Sequence, residues 1–441
     1  MSETGVRMPW SRSGRPVPRR VLGPIRQFTQ LEIAGGVVLL AASVIALIWA
    51  NVATGSYESF WSTDVTITIG DHSITENLLH VVNDGLMTIF FLVIGLEVKR
   101  ELVLGELSTR QAALLPMFAA FGGVIVPALI FTAMTAGDGL AEGWGIPIAT
   151  DVAFALAALA ALGRRVPSPL MAFLLGVAVV DDIVAIVVIA FVYTDGLSLA
   201  WLAAAAVGLL AMWGVRELGV RHIGVYLVLG AAVWFAVFES GVHATIAGVA
   251  IAMITPTRPF QSPAAVSREA VLTAERTDDH PAVPDGDAHQ WRRLSWLSRE
   301  AVSPLTRMEH ALHPWSSFVV LPIFALANAG IVLDRAAFEA AGETPVATAA
   351  AVALIVGKCV GLTGGTFLAV RLGLSRLPAG VRWAHVAGVG LLAGIGFTVS
   401  LFITELAYGD PALVDAAKLG VLVGSVAAAI AGTAWLRLVR R

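Results

Sequence analysis

The chain contains about twelve separate runs of roughly 20 apolar residues, which is the length of a helix that crosses a bilayer. Because a bilayer offers no water to backbone N–H and C=O groups, such runs fold as helices. Charged residues make up 14% of the chain, against about 25% in soluble proteins. The chain is therefore predicted to be an all-α polytopic membrane protein with the lipid bilayer as its partner. The runs lie near 33–52, 79–98, 112–133, 144–163, 167–193, 199–215, 223–238, 241–255, 315–333, 346–370, 384–405 and 413–436.

The distribution of basic residues supports an even number of spans with both termini cytoplasmic. Under that arrangement every Lys and Arg except Arg335, Lys358 and Lys418 falls in an inner loop or terminus, where basic residues collect. The N-terminal stretch has no A-x-A-like cleavage site and is expected to be a retained cytoplasmic end. The net charge of -3 argues against nucleic-acid binding.

The predicted organisation has four parts and one small outer element. In order they are 1–30, an Arg-rich cytoplasmic N-terminus; 31–256, transmembrane helices 1–8; 257–306, a long cytoplasmic linker; and 307–441, transmembrane helices 9–12. The linker is polar and rich in Pro, which predicts a largely disordered segment with a surface helix around Trp291 to Trp296. Alternating residues over 64–75 predict an outer β-hairpin, whose exposed edge would favour self-association.

Two adjacent carboxylates, Asp181 and Asp182, occupy the middle of one apolar run. Each costs at least ~2.5–3.5 kcal/mol at bilayer depth, and two neighbours cannot easily both be ionised. Lys358 lies midway along another run and needs a compensating carboxylate, for which either aspartate is a candidate. This set indicates a site that handles protons or cations. The alternative is a structural ion pair that only fixes helix packing.

Two runs are interrupted by residues that disfavour a regular helix. One contains Pro147 followed by Thr150 and Asp151, and the other contains Gly394 and Gly396. Unwound backbone at membrane depth is tolerated where it lines a cavity, and its carbonyls and helix ends suit small cations. Charges on Asp151 and Lys358 could offset the dipoles of two facing half-helices. The alternative is that the glycines are ordinary close-packing contacts between helices.

Further titratable residues gather at the ends of predicted helices. The histidines and carboxylates among them could sense pH near neutrality, or all of these residues could be solvated charges of little consequence. For His243, capping or packing is an equal alternative. These residues are Glu97, Arg100, Glu101, His243, Glu309, His310 and His313.

Several long motifs of the chain resemble the NhaA-type bacterial sodium/proton antiporters. They extend in order from about residue 26 to the C-terminus. The motifs are Asn83–Glu101, Gly145–Ala155, Asp181-Asp182, Ser240–Thr245, Glu309–Trp315, Phe324–Gly330, Gly357-Lys358 and Gly394–Ser400. The chain departs from the family in the length of the linker and in its Arg-rich N-terminus.

The resemblance implies a twelve-helix exchanger of the bacterial inner membrane, with inverted repeats and two discontinuous crossed helices; this family is itself a standard example of that design. It implies Asp182 as the main ligand of transported Na+, Asp181 paired with Lys358, and Thr150 and Asp151 in the crossed helices. It also implies a role in pH response for the seven helix-end residues named above. Na+, Li+ and H+ would be substrates, no cofactor is expected, and the hairpin would contribute to a homodimer.

Competition of a cation and protons for the same aspartates would couple the two fluxes. Two acidic sites and a lysine allow more proton charge than cation charge to move in each cycle, and the resemblance implies an electrogenic antiporter rather than an enzyme. An intramembrane aspartyl protease is the alternative from another class, because paired buried aspartates also serve in hydrolysis. It needs aspartates from two facing helices, whereas neighbours on one helix point about 100° apart. A channel or a non-transporting pH sensor also remains open.

Overall fold

The computed structural model describes residues 34–69, 72–163, 166–194, 196–220, 222–278 and 288–439. The predicted N-terminal segment 1–30 and the inner-loop residues Arg164 and Arg165 lie outside these ranges. The helices, numbered in chain order, are α1 Ala34–Val52, α2 Thr54–Trp61, α3 Leu78–Val103, α4 Arg110–Thr135, α5 Ala141–Ile148, α6 Val152–Ala161, α7 Ser168–Val192, α8 Leu199–Glu217, α9 Ile223–Phe238, α10 Thr245–Ile254, α11 Pro263–Asp278, α12 Ala288–Glu300, α13 Pro304–Asn328, α14 Arg335–Glu343, α15 Val346–Arg371, α16 Trp383–Leu392, α17 Phe397–Ala407 and α18 Pro411–Leu438.

The prediction of an all-α membrane protein is confirmed. Within the described residues, eight helices are long and apolar enough to cross a bilayer: α1, α3, α4, α7, α8, α13, α15 and α18. Two bent pairs, α5–α6 and α16–α17, also pass that test when each pair is taken as one span. The shorter apolar helices α9 and α10 coincide with the remaining two of the twelve predicted runs. The chain is thus a multi-pass membrane protein.

The predicted β-hairpin is also present. Strands β1 (Asp64–Ile69) and β2 (His72–Asn77) pair antiparallel, with Asp64 opposite Asn77 and Ile69 opposite His72. The predicted turn at residues 70–71 lies outside the described residues.

One compact unit comprises the described residues of 34–82, 114–185 and 317–439. Its helices approach each other closely where small residues meet. A Cβ added to Gly361 of α15 would collide with the backbone of Gly122 in α4, and one added to Gly365 would collide with Phe118. Near the beginning of α15, Gly420 and Gly424 of α18 give similarly little room. Such contacts let helices pack without a hydrophobic driving force between them.

The second unit comprises residues 83–113 and 186–316. Gly95 of α3 lies against α10, and Gly248 of α10 lies against α3, so the two helices approach backbone to backbone. Leu96, Ala252 and Leu305 form a buried cluster that joins α3, α10 and α13.

The prediction that the linker is largely disordered is wrong for its described residues. Helices α11 and α12 occupy much of 257–306, and α12 includes the helix expected around Trp291 to Trp296. Arg293 of α12 lies 3.6 Å from Glu269 of α11, measured between Nη2 and Oε1. Contacts between amphipathic helices, which a polar composition conceals, account for the difference.

Candidate functional site

The two interrupted spans meet at their breaks. The pair α5–α6 bends by 40° and the pair α16–α17 by 51°. The Thr150 hydroxyl donates to the carbonyl oxygen of Ala393 at 2.9 Å. The backbone N–H of Asp151 donates to the carbonyl oxygen of Ile395 at 2.6 Å. Groups at one break thus form hydrogen bonds with backbone carbonyls at the other, as irregular backbone at membrane depth requires.

Local sequence explains why both helices stop here. Pro147 has no N–H to donate near the end of α5, which is a 3₁₀ helix. At the second break, a Cβ on Gly394 would collide with the Leu354 carbonyl, and one on Gly396 would collide with Ser400. The glycines therefore allow backbone to approach backbone. The predicted break residues Pro147, Gly394 and Gly396 all lie at or beside the breaks.

A tyrosine also links the two broken spans away from their breaks. The Tyr408 hydroxyl, just after α17, donates to the carbonyl oxygen of Leu140, just before α5, at 2.8 Å. Burial raises the pKa of Tyr408 to about 12. The phenol therefore keeps its proton, and with it this hydrogen bond, across the neutral pH range.

Asp151 caps the beginnings of two half-helices at once. Its Oδ1 accepts the backbone N–H of Phe154 in α6 at 3.3 Å, and its Oδ2 accepts the backbone N–H and the hydroxyl of Thr398 in α17 at 3.2 and 2.7 Å. Helix N-termini carry partial positive charge and unpaired N–H groups. The Asp151 side chain is 4% exposed and lies beside both N-termini.

Lys358 supplies the opposite charge. It lies in α15 directly after a π-helical stretch, Ala353–Gly357, and is fully buried. Its Nζ donates to the Ile148 carbonyl at the end of α5, at 2.5 Å, and to Oδ2 of Asp181, at 2.7 Å. A helix C-terminus carries partial negative charge, so the ammonium offsets a dipole and a carboxylate together.

The structure separates the two adjacent aspartates of α7. Neighbouring residues on a helix point about 100° apart, and Asp181 is the one that meets Lys358. Oδ2 of Asp181 also lies 2.8 Å from the Thr150 hydroxyl oxygen, so this carboxylate and the Ala393 carbonyl share the single hydroxyl proton, whereas the buried Oδ1 of Asp181 accepts no hydrogen bond from the described residues. Asp182 is 8% exposed.

The site therefore holds more acid than base. Asp151, Asp181 and Asp182 are buried together with a single lysine, Lys358. Full ionisation of three buried carboxylates beside one ammonium is costly, so protons or a bound cation must compensate the excess. Carboxylate, hydroxyl and carbonyl oxygens are the ligands that hard cations prefer.

A second cluster lies in the other unit, where α3 meets α13. Arg100 Nη1 lies 2.5 Å from Oε1 of Glu309, which is 6% exposed, and Arg100 Nη2 lies 3.4 Å from Oε1 of Glu101. His313 Nε2 lies 3.8 Å from Oε1 of Glu97. The structure thus brings together five of the seven helix-end residues.

The other two predicted residues lie differently. His310 is exposed on α13, next to this cluster in sequence. His243 lies before α10, with its Nδ1 3.8 Å from Oδ1 of Asp84 in α3. The packing of α3 against α10 brings these two side chains together.

Sequence reasoning missed several residues that shape these sites. Thr398 binds Asp151, the Ser400 hydroxyl donates to the Ile146 carbonyl at 2.6 Å, and the buried Ser425 hydroxyl accepts the Gly396 N–H at 3.3 Å. Thr398, Ser400 and Asp84 lie inside the motifs quoted above, and their place in those motifs was the sequence signal that could have identified them. Ser425, in the middle of α18, has no local signal.

Comparison with known proteins places these features in a family. The model of the family described as Na+/H+ antiporter 1 matches residues 26–436. The chain is 43% identical over 425 residues to the Na+/H+ antiporter NhaA of Janthinobacterium sp. (strain Marseille), covering 94% of this chain and 93% of that protein. It is 44% identical to a protein of the same name from Oleidesulfovibrio alaskensis, covering 96% and 95%. A third, from Rhodopirellula baltica, is 45% identical, covering 94% and 93%.

These matches extend over nearly the whole chain and include both breaks, Asp181, Asp182 and Lys358. They exclude the alternative of an intramembrane protease, because the family consists of secondary transporters. The chain belongs to the Na+/H+ antiporter 1 family.

Proposed function

We propose that this protein is an electrogenic Na+(Li+)/H+ antiporter that extrudes cytoplasmic sodium in exchange for external protons. The observation that carries the proposal is the buried Asp181–Lys358 pair beside Asp182, at the meeting point of two broken helices. The relatives named above are called Na+/H+ antiporters, which supports the same activity.

The proposed exchange follows from competition at Asp181 and Asp182. A cation binds only the ionised carboxylates, so its entry from the cytoplasm displaces protons. Oδ1 of Asp181, which has no hydrogen-bond donor among the described residues, and the Thr150 hydroxyl are oxygens within reach of that site. Protons arriving from outside neutralise the carboxylates and release the cation. Alternating access lets the site face one side of the membrane at a time.

Lys358 makes the exchange electrogenic in this proposal. When a cation occupies the aspartates, Asp181 no longer compensates the ammonium, and Lys358 can release its own proton. More than one proton then moves for each cation. The net charge is driven by about 2.3 kcal/mol per 100 mV of membrane potential.

The cluster of Glu97, Arg100, Glu101, Glu309 and His313 is proposed to regulate exchange by pH, together with His310 and His243. Its support is geometric: a nearly buried carboxylate, an arginine and a histidine lie within ion-pair distance across two helices. Protonation of one member changes the attraction between α3 and α13. We further propose an inner-membrane location with both termini cytoplasmic, and a homodimer joined through the β1–β2 edge.

The test uses purified protein in liposomes that contain a pH-sensitive dye. Adding Na+ or Li+ should dissipate an imposed pH gradient, and collapsing the membrane potential should change the rate because net charge moves. Asp182→Asn should abolish the response. The matched control is Asp138→Asn, an exposed aspartate beyond α4, which should exchange normally. Normal exchange by Asp182→Asn would refute the assignment of the cation site.

A further inference from the structure

Helices α11 and α12 lie between α10 and α13, and backbone hydrogen bonds join the two ends of this helix pair. The backbone N–H of Gln261 donates to the Glu300 carbonyl, and that of Leu305 donates to the Pro256 carbonyl, both at 3.1 Å. Glu300 is buried, and its Oε1 lies 3.7 Å from Nη1 of Arg307 in α13. The pair α11–α12 is therefore attached directly to the beginning of the helix that carries Glu309.

Helix α12 has two different faces. Leu294 and Leu297 are half-buried, and Arg293 is engaged by Glu269 of α11. At about 100° per residue, Arg292 and Arg299 lie close together on the opposite face, with Trp291 on one side and Trp296 on the other. Both tryptophans are about half exposed, at 47% and 48%.

The residue types on this exposed face are those that bind the surface of a bilayer. Tryptophan combines an apolar ring with a polar N–H and prefers the boundary between lipid and water. Arginines beside it attract anionic headgroups. The chain continues at both ends of the pair into apolar helices, α10 and α13, which keeps α12 within reach of the membrane.

We propose that the face of α12 formed by Trp291, Arg292, Ser295, Trp296 and Arg299 docks on the surface of a bilayer that contains anionic phospholipid. The positive charge of the two arginines selects this occupant over a neutral lipid surface. Docking would also hold the base of α13 at a defined depth, through Glu300 and Arg307. The proposal goes beyond the exchange reaction and does not depend on it.

The experiment places an environment-sensitive fluorophore on this face of the full-length protein in liposomes. The single native cysteine is removed by Cys359→Ala, and Ser295→Cys provides the labelling position. With about 30% phosphatidylglycerol, the label should be quenched by a spin label placed near the lipid headgroups and shielded from aqueous iodide. In pure phosphatidylcholine both effects should fall several-fold. A label at Ser267→Cys, exposed on α11, is the matched control and should stay accessible to iodide in both.

Charge reversal provides the second arm. Arg292→Glu combined with Arg299→Glu should return the label at 295 to iodide in anionic liposomes, whereas Arg268→Glu on α11 should leave it shielded. The proposal would be overturned by equal iodide access at 295 with and without anionic lipid, or by shielding that survives the double reversal. Shielding that depends on protein concentration and persists in detergent would also overturn it, by assigning the face to a second copy of the chain. Because the readout is accessibility, failure of the proposed exchange would leave the result unaffected.

Discussion

Replacing Lys358 by methionine should destabilise the protein. A second substitution, Asp181→Asn, removes the unpaired carboxylate and should recover most of the lost free energy of unfolding. Lys358 is fully buried and Asp181 is 1% exposed. Removing one partner of such a pair leaves an uncompensated buried charge, which costs about 3–5 kcal/mol. The unpaired Ile148 carbonyl contributes to the same loss. In Lys358→Met the deficit should grow as pH rises, because keeping Asp181 protonated then costs more free energy.

Lys358→Met combined with Asp181→Asn should lie within about 1–2 kcal/mol of the wild type, since replacing a whole buried pair is often close to neutral. The coupling free energy between the two sites should therefore be at least about 2 kcal/mol. Both single variants and the double variant would be unfolded in mixed micelles of increasing SDS content, with the midpoint followed by tryptophan fluorescence. The control is Arg335→Met, which breaks an exposed pair with Glu339 and should cost about 0.5 kcal/mol or less. Additive losses in the double variant would refute the assigned pairing.

Three further predictions use the same protein preparations. Thr398→Val removes the hydroxyl that donates to Asp151 and should lower the free energy of unfolding by about 1.5–3 kcal/mol, while Thr398→Ser keeps the bond and should stay near wild type in the same assay. Gly361→Ala should cost about 1–3 kcal/mol because its Cβ meets backbone of α4, whereas Gly364→Ala on the same helix meets no atom within 4 Å; equal midpoints for the two would contradict the packing. Glu309→Gln removes a negative charge that favours protonation of its neighbours, so the midpoint of exchange rate against pH should move to lower pH by about half a unit or more; an unchanged profile in the liposome assay would remove Glu309 from the proposed sensor.

Much of the fold could be predicted from local patterns. Runs of about 20 apolar residues predict spans because bilayer thickness and helix rise leave few alternatives. The two breaks and the β-hairpin were also predictable, from proline and glycine at membrane depth and from strict alternation. Helix α12 was anticipated around Trp291 to Trp296, but α11 was not, because its polar residues resemble a disordered segment when its contacts with α12 are unknown.

The candidate site was predictable in its members but not in its pairings. A charged residue in an apolar run is visible in the sequence, so Asp151, Asp181, Asp182 and Lys358 could all be named in advance. Which aspartate meets the lysine depends on the rotation of α7 about its axis, which no local pattern specifies. The partner of His243 depends likewise on the packing of α3 against α10.

The sequence by itself determined that this chain is a membrane protein, where its helices break, and which buried charges must be compensated. These properties follow from the free energy of placing each segment or side chain in lipid, which depends on local composition. Only the tertiary structure decided that Asp151 caps two half-helices, that Lys358 joins Asp181 to the end of α5, and that Ser425 holds the second break. Those contacts join segments far apart in the chain, and their geometry is determined by how the helices pack.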